Sequence, residues 1–330
     1  MSKGICILGE FDSDNNLLDV SKELVTVAYK MSNSLQEVSV ILITSKENLE
    51  DDFQALSSCG ANKIYVVETS EILGYFTDIY TTVVLELLRQ INPSIFLMGA
   101  TTQGKDLAPR VAASLDVGLV SDCTDLYLAD DGVLEGTCQI FGGQFMQTVS
   151  SKAFPQIVTV RPHVFSYENV LFEKARVIYK DINTGLISNR VELLEFLKYE
   201  FSASSTLEDS PIIISGGRGI GSQAGFELLI ELAKLVGGAV GASRYAVDAG
   251  WCEPALQIGL TGKIVSPKIY LACGISGAVQ HLSGIQNAGK IIAINKNPNA
   301  PIFENADYGL VADVFEVIPQ LINELKKKEG

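Results

Sequence analysis

The stretch that decides the fold is IIISGGRGIGSQAGFELLIELAKLVGGAVGASR, residues 212–244. It begins with a short apolar run, turns through a glycine-rich loop, continues with apolar residues at helical spacing and ends in a second apolar run. Short apolar runs bounded by glycine are typical of strands, and apolar residues at every third or fourth position are typical of helices. The stretch therefore predicts a strand, a loop, a helix and a second, parallel strand.

Strand-like and helix-like segments keep alternating downstream of this unit. In chain order the segments are KIYLACG, SGAVQHLSGIQNAG, KIIAIN, YGLVAD and VFEVIPQLINELKKK, which predict strand, helix, strand, strand and helix. The first of these helices is expected to begin near Ser276. We therefore predict a smaller, doubly wound C-terminal domain over residues 211–330.

The first half of the chain has a similar pattern with one difference. The runs GICILGE, VSVILIT, KIYVVET and PSIFLMGA alternate with helical patterns, which predicts a parallel sheet of the kind found in nucleotide-binding domains. Between residues 126 and 162, short alternating runs with the turn signals DDG and FGG predict antiparallel hairpins, and KARVIYKDI predicts one more strand. The predicted fold class is therefore α/β with two domains.

The domain boundary is predicted where the apolar pattern is lost. The segment FLKYEFSASSTLEDSP gains Ser, Glu and Asp instead. We therefore place an N-terminal α/β domain at residues 1–200, a linker at 201–210 and the C-terminal domain at 211–330.

Composition excludes several classes of function. The 330 residues are 47% hydrophobic and 19% charged, as in globular proteins, and the formal net charge of −14 argues against nucleic-acid binding. No apolar run is long enough to cross a membrane and the N-terminus lacks a signal-peptide core, so we expect a cytoplasmic protein. The six cysteines lack zinc-type spacing, which predicts reduced thiols and no metal site.

Three glycine loops are candidates for nucleotide binding, and the first is GATTQGKD, residues 99–106. Asp106 stands where a phosphate loop needs Ser or Thr, and a carboxylate at this point would repel phosphate. We therefore interpret the loop as a strand-to-helix turn in which Asp106 caps the helix and complements its dipole.

The second loop, SGGRGIGSQAG at residues 215–225, matches the dinucleotide-binding pattern G-x-G-x-x-[GA] from Gly219 onward. In NAD-binding proteins an acidic residue ends the next strand, but here Ser243 and Arg244 follow it. Arg218 within the loop is placed to pair with a phosphate. The loop predicts phosphate binding and leaves an NAD(P)-dependent dehydrogenase open as an alternative.

The third loop leads from the strand KIYLAC through GISG into a predicted helix that carries Gln280 and His281. The first N–H groups of a helix carry partial positive charge, which suits a phosphate or an electron-rich ring. His281 is one of only two histidines, and the other, His163 in RPHVF, is expected to be structural.

In combination these motifs resemble a known family. The C-terminal half carries, in this order, SGGRG, GASRYAVDAGW, TGKIVSP, YLA, GISG with Gln280 and His281, and GKIIAIN. With these segments the chain closely resembles the alpha subunit of electron transfer flavoprotein, and GKDLAPRVAASLDVGLVSDC and TVRPHVF extend the resemblance into the first half. It covers nearly the whole chain.

The resemblance implies a bound FAD, held mainly by the C-terminal domain, with neither catalytic nor metal-binding residues. The implied cofactor-binding residues are Arg218, Ser243, Arg244, Gln257, Ile258, Gly259, Leu260, Thr261, Ser276, Gly277, Ala278, Val279, Gln280, His281, Asn295, Asp313 and Val314. By resemblance, Arg218 would meet the diphosphate, the Thr261 hydroxyl would lie near flavin N5, and His281 near the C2 carbonyl. Asn295 and Asp313 would reach the ribose and adenine end.

The charge of these residues suits a redox cofactor. Reduction adds negative charge to flavin N1 and the C2 carbonyl. Arg244, a hydrogen bond from His281 and helix N–H groups are expected to stabilise that charge and so favour the state with one extra electron. Leu260 stands where many relatives carry glutamine, so a backbone contact is expected there rather than a side-chain one.

The resemblance also implies partners. A beta subunit is expected to dock on the N-terminal domain and complete a heterodimer, which would carry electrons to an acyl-CoA dehydrogenase or a similar flavoenzyme. A narrower alternative is NADH-dependent electron bifurcation to ferredoxin, with a second FAD in the beta subunit. Several points stay open here. They are the electron donor and acceptor, the number of flavins, whether the flavin domain swings, and whether the protein has an enzymatic role outside a complex.

Overall fold

The computed structural model divides the protein into two compact units. The residues that it describes are 4–12, 14–32, 37–68, 74–141, 145–170, 173–182, 191, 194, 207, 210–286 and 288–328. Unit 1 comprises Met1–Ile140 with Phe145–Leu197, and unit 2 comprises Phe141–Gln144 with Lys198–Gly330. The predicted linker at 201–210 lies outside the described residues, except for Leu207 and Ser210, so its bounds stay a prediction.

Unit 1 is built on a sheet of nine described strands. They are β1 (Ile5–Gly9), β2 (Val38–Thr44), β3 (Lys63–Glu68), β4 (Ile95–Gly99), β5 (Leu119–Leu128), β6 (Leu134–Ile140), β7 (Phe145–Ser150), β8 (Gln156–Val160) and β9 (Arg176–Tyr179). The α-helices of its described part are α1 (Asp19–Met31), α2 (Glu50–Ser58), α3 (Thr77–Ile91) and α4 (Thr102–Leu115). The order across the sheet is β7-β6-β5-β8-β4-β1-β2-β3-β9.

Strand directions in unit 1 confirm the predicted mixture of a parallel sheet and antiparallel hairpins. β5, β6 and β7 pair antiparallel, and the other pairs are parallel. The last strand of the predicted hairpin region is an exception, because β8 lies parallel between β4 and β5. All five residues of β8 are buried, as is typical of a parallel strand covered on both faces.

The central strand β1 shows why these apolar runs form the middle of the sheet. Ile5 and Ile7 belong to one buried cluster together with Leu24 of α1, whereas Cys6 and Leu8 belong to a second cluster with residues of α3 and α4. Successive side chains of a strand point to opposite faces. An uninterrupted apolar run therefore buries both faces of the sheet, and helices cover both.

Two side chains meet at the carboxyl ends of β1 and β4. These strands are neighbours, but the chain leaves β1 toward β2 and leaves β4 toward β5 on the opposite side, which makes this a topological switch point. The Thr101 hydroxyl donates to Glu10 Oε2 at 2.6 Å, and its oxygen accepts from the Gly104 N–H at 2.9 Å. Glu10 is 2% exposed, and burial raises the pKa of its carboxyl to about 7.

Asp106 does not have the capping role that the sequence predicts, although the turn from strand to helix is present. α4 begins at Thr102 and its N-cap is Thr101, so Asp106 lies in the second turn. Its carboxylate accepts hydrogen bonds from the Thr77 hydroxyl and, at 2.8 Å, from the Tyr75 hydroxyl. The Thr77 donor, more than the Tyr75 donor, lowers the pKa of Asp106.

Unit 2 contains a second, five-stranded parallel sheet in its described part. Its strands are β10 (Ile212–Gly216), β11 (Ala239–Ala242), β12 (Ile269–Cys273), β13 (Ile291–Asn295) and β14 (Tyr308–Val311). Its α-helices are α5 (Gln223–Leu235), α6 (Arg244–Asp248), α7 (Val279–Leu282) and α8 (Val314–Lys328). The strand order β11-β10-β12-β13-β14 confirms the predicted doubly wound domain.

The helix predicted to begin near Ser276 is much shorter than expected. α7 begins at Val279 and has four residues. Gly277 has a φ of +85°, and a Cβ atom there would lie 2.2 Å from the Ile302 nitrogen, so this position cannot belong to a helix. The Ser276 carbonyl instead accepts from the Ile302 N–H at 3.0 Å. The prediction of a helix N-terminus at Ser276 is therefore wrong.

The described parts of the chain contain neither a membrane-spanning helix nor a cluster of metal ligands. No helix there combines the length and the apolarity that a membrane span requires. No group of three or more His, Cys, Asp or Glu side chains there is arranged to hold a metal ion. All six cysteines are described, and each is a free thiol.

Candidate functional site

The candidate site lies at the carboxyl ends of β10 and β12. The chain leaves β10 toward β11 on one side, whereas β12 and β13 lie on the other side. In doubly wound sheets, ligands bind outside the carboxyl ends of the strands at such a switch point. The loops that follow β10 and β12 are therefore the expected place for a ligand.

These two loops interlock through their backbones. The Gly217 N–H donates to the Cys273 carbonyl and the Gly219 N–H to the Gly274 carbonyl, each at 2.9 Å. A Cβ atom on Gly219 would lie 2.7 Å from the Gly274 Cα, and Gly274 has a φ of +61°. Only glycine permits this approach and this backbone conformation, so the glycines of both motifs have a shared structural cause.

A cavity of about 480 Å³ adjoins the interlocked loops within unit 2. Its volume is in the range of small-molecule and cofactor pockets. It is lined by Arg218, Ser243, Arg244, Tyr245, Asp248, Gln257, Ile258, Gly259, Leu260, Thr261, Ile275, Ser276, Ala278, Gln280 and His281. Four separate segments of unit 2 thus contribute to one cavity.

Twelve of the 17 residues that the resemblance implies line this cavity. The other five are Gly277, Val279, Asn295, Asp313 and Val314. Val279 is the exposed first residue of α7, and Gly277 packs against the Ile302 backbone. The structure therefore brings most of the set together around one space and leaves a smaller group beside it.

Three residues of the smaller group follow β13 and β14. The Asn295 amide donates to the Ile275 carbonyl at 2.8 Å. Asp313 pairs with Lys296 at 2.8 Å, and the hydrogen bond from Lys296 lowers the pKa of the Asp313 carboxyl. Val314 is the buried first residue of α8. Because parallel strands end at the same edge of a sheet, these residues lie along the edge that carries the cavity.

Two guanidinium groups line the cavity, and each has a partner in the protein. The Arg218 Cζ lies 5.5 Å from the centre of the Tyr245 ring, within cation–π range. Arg244 Nε lies 3.4 Å from Asp248 Oδ2, one turn along α6, and these side chains are 69% and 64% exposed. Water screens such an exposed pair, so Arg244 can exchange Asp248 for an anionic ligand at little cost.

The segment 257–261 forms another wall of the cavity. Gln257 Nε2 donates to Thr261 Oγ1 at 3.0 Å. A hydroxyl that accepts one hydrogen bond still carries its own hydrogen, so Thr261 can donate to a ligand. The Ile258 N–H donates to the Ala242 carbonyl at 2.9 Å, which anchors this segment to the end of β11.

His281 is buried at the cavity wall and is only 6% exposed. Its Nε2 lies 2.8 Å from the Tyr270 hydroxyl oxygen, and its Nδ1 lies 3.1 Å from the Ile258 carbonyl oxygen. Burial lowers the pKa of the imidazole to about 4. Both ring nitrogens thus have protein partners within hydrogen-bond distance, and a hydrogen bond from His281 to a flavin carbonyl stays a prediction.

Three lining residues are missing from the set predicted by resemblance: Tyr245, Asp248 and Ile275. Asp248 follows Arg244 by four positions, a spacing that places two side chains together on a helix, so a signal for it is present in the sequence. Ile275 lies inside the GISG motif. Tyr245 has no comparable signal, because its place beside Arg218 arises only when the two loops meet.

The cavity residues fit a flavin nucleotide. Such a ligand has an apolar ring system and a charged diphosphate, and the cavity offers Ile258, Leu260 and Ile275 together with two guanidinium groups. The buried Ser243 hydroxyl has no hydrogen-bond partner in the described part of the protein. Buried polar groups are normally satisfied, so a ligand contact would account for this hydroxyl.

A doubly wound unit with cations and apolar side chains at its switch point is typical of α/β proteins that bind nucleotide cofactors. A family model described as "Electron transfer flavoprotein domain" matches residues 5–180, and another, "Electron transfer flavoprotein FAD-binding domain", matches residues 206–286. Together with relatives that match over nearly the full length, these models show that the chain belongs to the electron transfer flavoprotein family, among its alpha subunits.

Individual relatives support the same assignment. The electron transfer flavoprotein subunit alpha of Thermoanaerobacterium thermosaccharolyticum is 44% identical over 98% of both chains. Protein FixB of Clostridium saccharobutylicum is 41% identical over 98% of this chain and 97% of its own, and the subunit alpha of Megasphaera elsdenii is 41% identical over 99% and 98%. Among solved structures, a thiamine diphosphate-dependent 4-hydroxybenzoylformate decarboxylase of Rhodococcus jostii RHA1 covers 92% of this chain and 54% of its own at 11% identity, but its TM-score of 0.23 supports no argument.

Proposed function

We propose that the protein is the FAD-binding alpha subunit of a heterodimeric electron carrier, with the cofactor in the cavity of unit 2. The observation that carries this proposal is the meeting of four segments, two guanidinium groups and an unsatisfied hydroxyl at one switch point. Bound FAD would supply the one- and two-electron redox chemistry, while the chain holds the cofactor and sets its electrostatic surroundings.

The positive charge of the site comes from Arg218 and Arg244. A guanidinium stays protonated at any pH of interest and pairs well with phosphate oxygens. Because His281 is neutral, these two residues would compensate both the diphosphate and the charge that reduction adds to the ring. A fixed cation that faces developing negative charge stabilises the reduced state.

Hydrogen bonds are proposed to orient the ring system. Thr261 would donate its hydroxyl hydrogen to the ring, since its oxygen already accepts from Gln257. Ser243 would supply a second hydroxyl at the same wall. Asn295 and Asp313, together with Val314, are proposed for the ribose and adenine end, because they lie at the edge of the sheet that carries the cavity. Gly277 and Val279, within the segment 276–281, are proposed for the pyrimidine side and the diphosphate.

Unit 1 is proposed to dock the beta subunit. Its described edge strand β7 carries Phe145 and Met146, which are 61% and 58% exposed, and Tyr127 on β5 is 62% exposed. Large exposed apolar side chains on a sheet edge mark interaction surfaces. The names of the relatives, which include "subunit alpha", support such a pairing. We propose an acyl-CoA dehydrogenase or a similar flavoenzyme as the electron acceptor.

The proposal extends to domain organisation and compartment. We propose an N-terminal domain at residues 1–200, a linker at 201–210 and an FAD domain at 211–330. A reducing, cytoplasmic location is supported by the six free thiols, since disulfides persist mainly in oxidising compartments.

The test is the flavin content of the full chain co-expressed with its beta subunit. We expect at least one FAD per heterodimer after gentle purification, and a colourless complex that takes up no added FAD would refute the proposal. Two FAD per heterodimer with NADH-dependent reduction of ferredoxin would identify bifurcation. One FAD accompanied by AMP would identify a simple carrier.

The alternative, an NAD(P)-dependent dehydrogenase, is tested with the full chain expressed alone. Its support is the G-x-G-x-x-A pattern, but β11 is followed by Ser243 and Arg244 rather than by a ribose-binding carboxylate. Binding of a nicotinamide nucleotide to the isolated chain, in competition with FAD, would favour this alternative.

A further inference from the structure

Arg218 and Arg244 line the same cavity, but they have different kinds of neighbour. Arg244 Nε lies 3.4 Å from a carboxylate oxygen of Asp248. The guanidinium of Arg218 has no ion pair or hydrogen bond within the described part of the protein, and it lies against the ring of Tyr245, with its Cζ 5.5 Å from the ring centre. One cation of the site is therefore held by a charged group and the other by an uncharged ring.

An aromatic ring holds a guanidinium in a way that suits an anionic ligand. The ring attracts the cation through its face and uses none of the N–H donors of the guanidinium. A carboxylate would occupy these donors in pairs and would compete with an incoming phosphate. Arg218 therefore keeps its hydrogen-bonding capacity for a ligand, while Tyr245 limits where the guanidinium can lie.

The ring of Tyr245 is itself supported by the fold of unit 2. Its centre lies 5.8 Å from that of the Trp251 ring, at an interplanar angle of 68°, which is a favourable edge-to-face arrangement. The Ser243 N–H donates to the Gly216 carbonyl at 2.9 Å, so the start of α6 is attached to the end of β10. Because the loop with Arg218 follows that same strand end, both partners of the cation–π contact are fixed to one point of the sheet.

We propose that Tyr245 is a positioning residue, whose ring holds the Arg218 guanidinium at the cavity wall so that its N–H groups pair with the diphosphate of a flavin dinucleotide. The inference rests on the proposed function, since it names the part of the cofactor that this pair recognises. It also divides the labour between the cations, because Arg244 is left to face the ring system.

A double-mutant cycle separates positioning from simple packing. The full chain in complex with its beta subunit is stripped of flavin, and the Kd of added FAD is measured for the wild type, Tyr245→Leu, Arg218→Ala and the double variant. Tyr245→Leu should weaken FAD binding by about fivefold, and Arg218→Ala by about 20-fold. In the Arg218→Ala background, Tyr245→Leu should cost less than about twofold, because the ring then has no guanidinium to hold.

Additive effects would overturn the proposal. An equal loss from Tyr245→Leu in both backgrounds would mean that the ring acts by packing alone, and no loss in the wild-type background would mean that it does not position Arg218 at all. Tyr245 is 51% exposed, so leucine should fit without unfolding, which thermal melting followed by circular dichroism checks. Tyr245→Gln, which also lacks an aromatic face, repeats the cycle if the leucine variant melts early.

Two further variants define which part of the side chain matters. Tyr245→Phe keeps the ring face and removes only the hydroxyl, so its Kd for FAD should stay within about twofold of the wild-type value. A loss as large as that of Tyr245→Leu would assign the effect to the hydroxyl and refute the role of the ring. Tyr308→Leu is the matched control, because Tyr308 is 64% exposed at the amino end of β14, away from the cavity edge of the sheet, and it should leave the Kd unchanged.

The outcomes separate this inference from the proposed function. A wild-type complex that takes up no FAD would refute the proposed function. A complex that binds FAD normally but shows additive effects in the cycle would refute only the positioning role of Tyr245.

Discussion

The two units place very different chemistry at equivalent points of their sheets. In unit 1 the switch point between β1 and β4 carries Glu10, a buried carboxyl that accepts from Thr101. In unit 2 the switch point between β10 and β12 carries interlocked glycine loops beside a cavity of about 480 Å³. The comparison shows that the same strand arrangement can present different chemistry, which the residues that directly follow the strands determine.

The same two places respond to pH in opposite directions. Burial raises the pKa of Glu10 from 4.5 to about 7, so its contribution to stability is complete below pH 4.5 and is lost as the pH rises through 7. Burial lowers the pKa of His281 from 6.5 to about 4. Between pH 4 and pH 6.5 the unfolded state therefore binds more protons than the folded state does. The free energy of unfolding falls as the pH falls from 6.5 toward 4.

The largest effect is expected when unit 2 is given a side chain at its switch point. In Gly219→Ala the new Cβ would meet the Gly274 Cα at 2.7 Å, so the two loops must separate. We expect a loss of about 3 kcal/mol in the unfolding free energy of unit 2 and a loss of FAD binding of about 100-fold. Fluorescence of Trp251, the single tryptophan, reports the unfolding of this unit.

The control for this change is Gly221→Ala in the same loop. A Cβ atom there has no neighbour within 4 Å, although the φ of +74° strains an alanine, so a cost of only about 1 kcal/mol is expected. Equal effects of the two substitutions would show that the close approach of the loops is unimportant.

The next effect concerns the charge of the open switch point. Arg244→Ala removes one of the two lining guanidinium groups, and we expect FAD binding to weaken by about 30-fold. The first reduction potential of the flavin should fall, because a cation no longer faces the added electron. Redox titration and equilibrium dialysis measure both quantities. Arg89→Ala, an exposed arginine of α3 in unit 1, should leave them unchanged.

A further effect is expected at the switch point of unit 1. Glu10→Gln keeps the shape of the side chain but cannot ionise, so at pH 8 it avoids a buried carboxylate. We expect the free energy of unfolding of unit 1 to be higher than in the wild type at pH 8 and unchanged at pH 4. Hydrogen exchange of the β1 amides measures this, and FAD binding serves as the internal control. A variant that is less stable than the wild type at pH 8 would show that the carboxylate itself is required.

The smallest effect is the acid response of unit 2. Between pH 7 and pH 5.5 the depressed pKa of His281 should cost about 1 kcal/mol of stability. Denaturant unfolding followed by Trp251 fluorescence measures it. The His281→Gln variant should lose this part of the pH dependence, and a wild type that shows no change in this range would contradict the buried, neutral ring.

Local patterns in the sequence predict most of the fold but only part of the site. The parallel strands are predictable because uninterrupted apolar runs bury both faces, as in β1 and β10. The length of α7 is not, because Gly277 leaves the helical conformation through a contact with Ile302, 25 positions away. Local patterns cannot predict the hydrogen bonds of His281 either, since one partner is Tyr270 from another element.

The resemblance and the geometry contribute different parts of the site. Twelve implied residues line the cavity, and short motifs such as GISG and TGK locate them. Tyr245 becomes part of the cavity lining because its ring packs against Arg218, and no rule of sequence spacing predicts this contact. Residues that share a motif are therefore predictable, whereas residues that meet only across loops require coordinates.

The interlocked glycines have a consequence for redesign of this protein. Neither Gly219 nor Gly274 has room for a side chain, so a change of cofactor preference cannot be engineered at either position. The cavity lining also includes Leu260, which is 60% exposed, so a replacement there should be tolerated. Gly259 beside it has a φ of +139°, and a Cβ atom there would lie 2.6 Å from the Gln280 carbonyl oxygen. Libraries that aim at a different flavin or a shifted potential should therefore vary Leu260 and keep Gly259 and both glycine loops fixed.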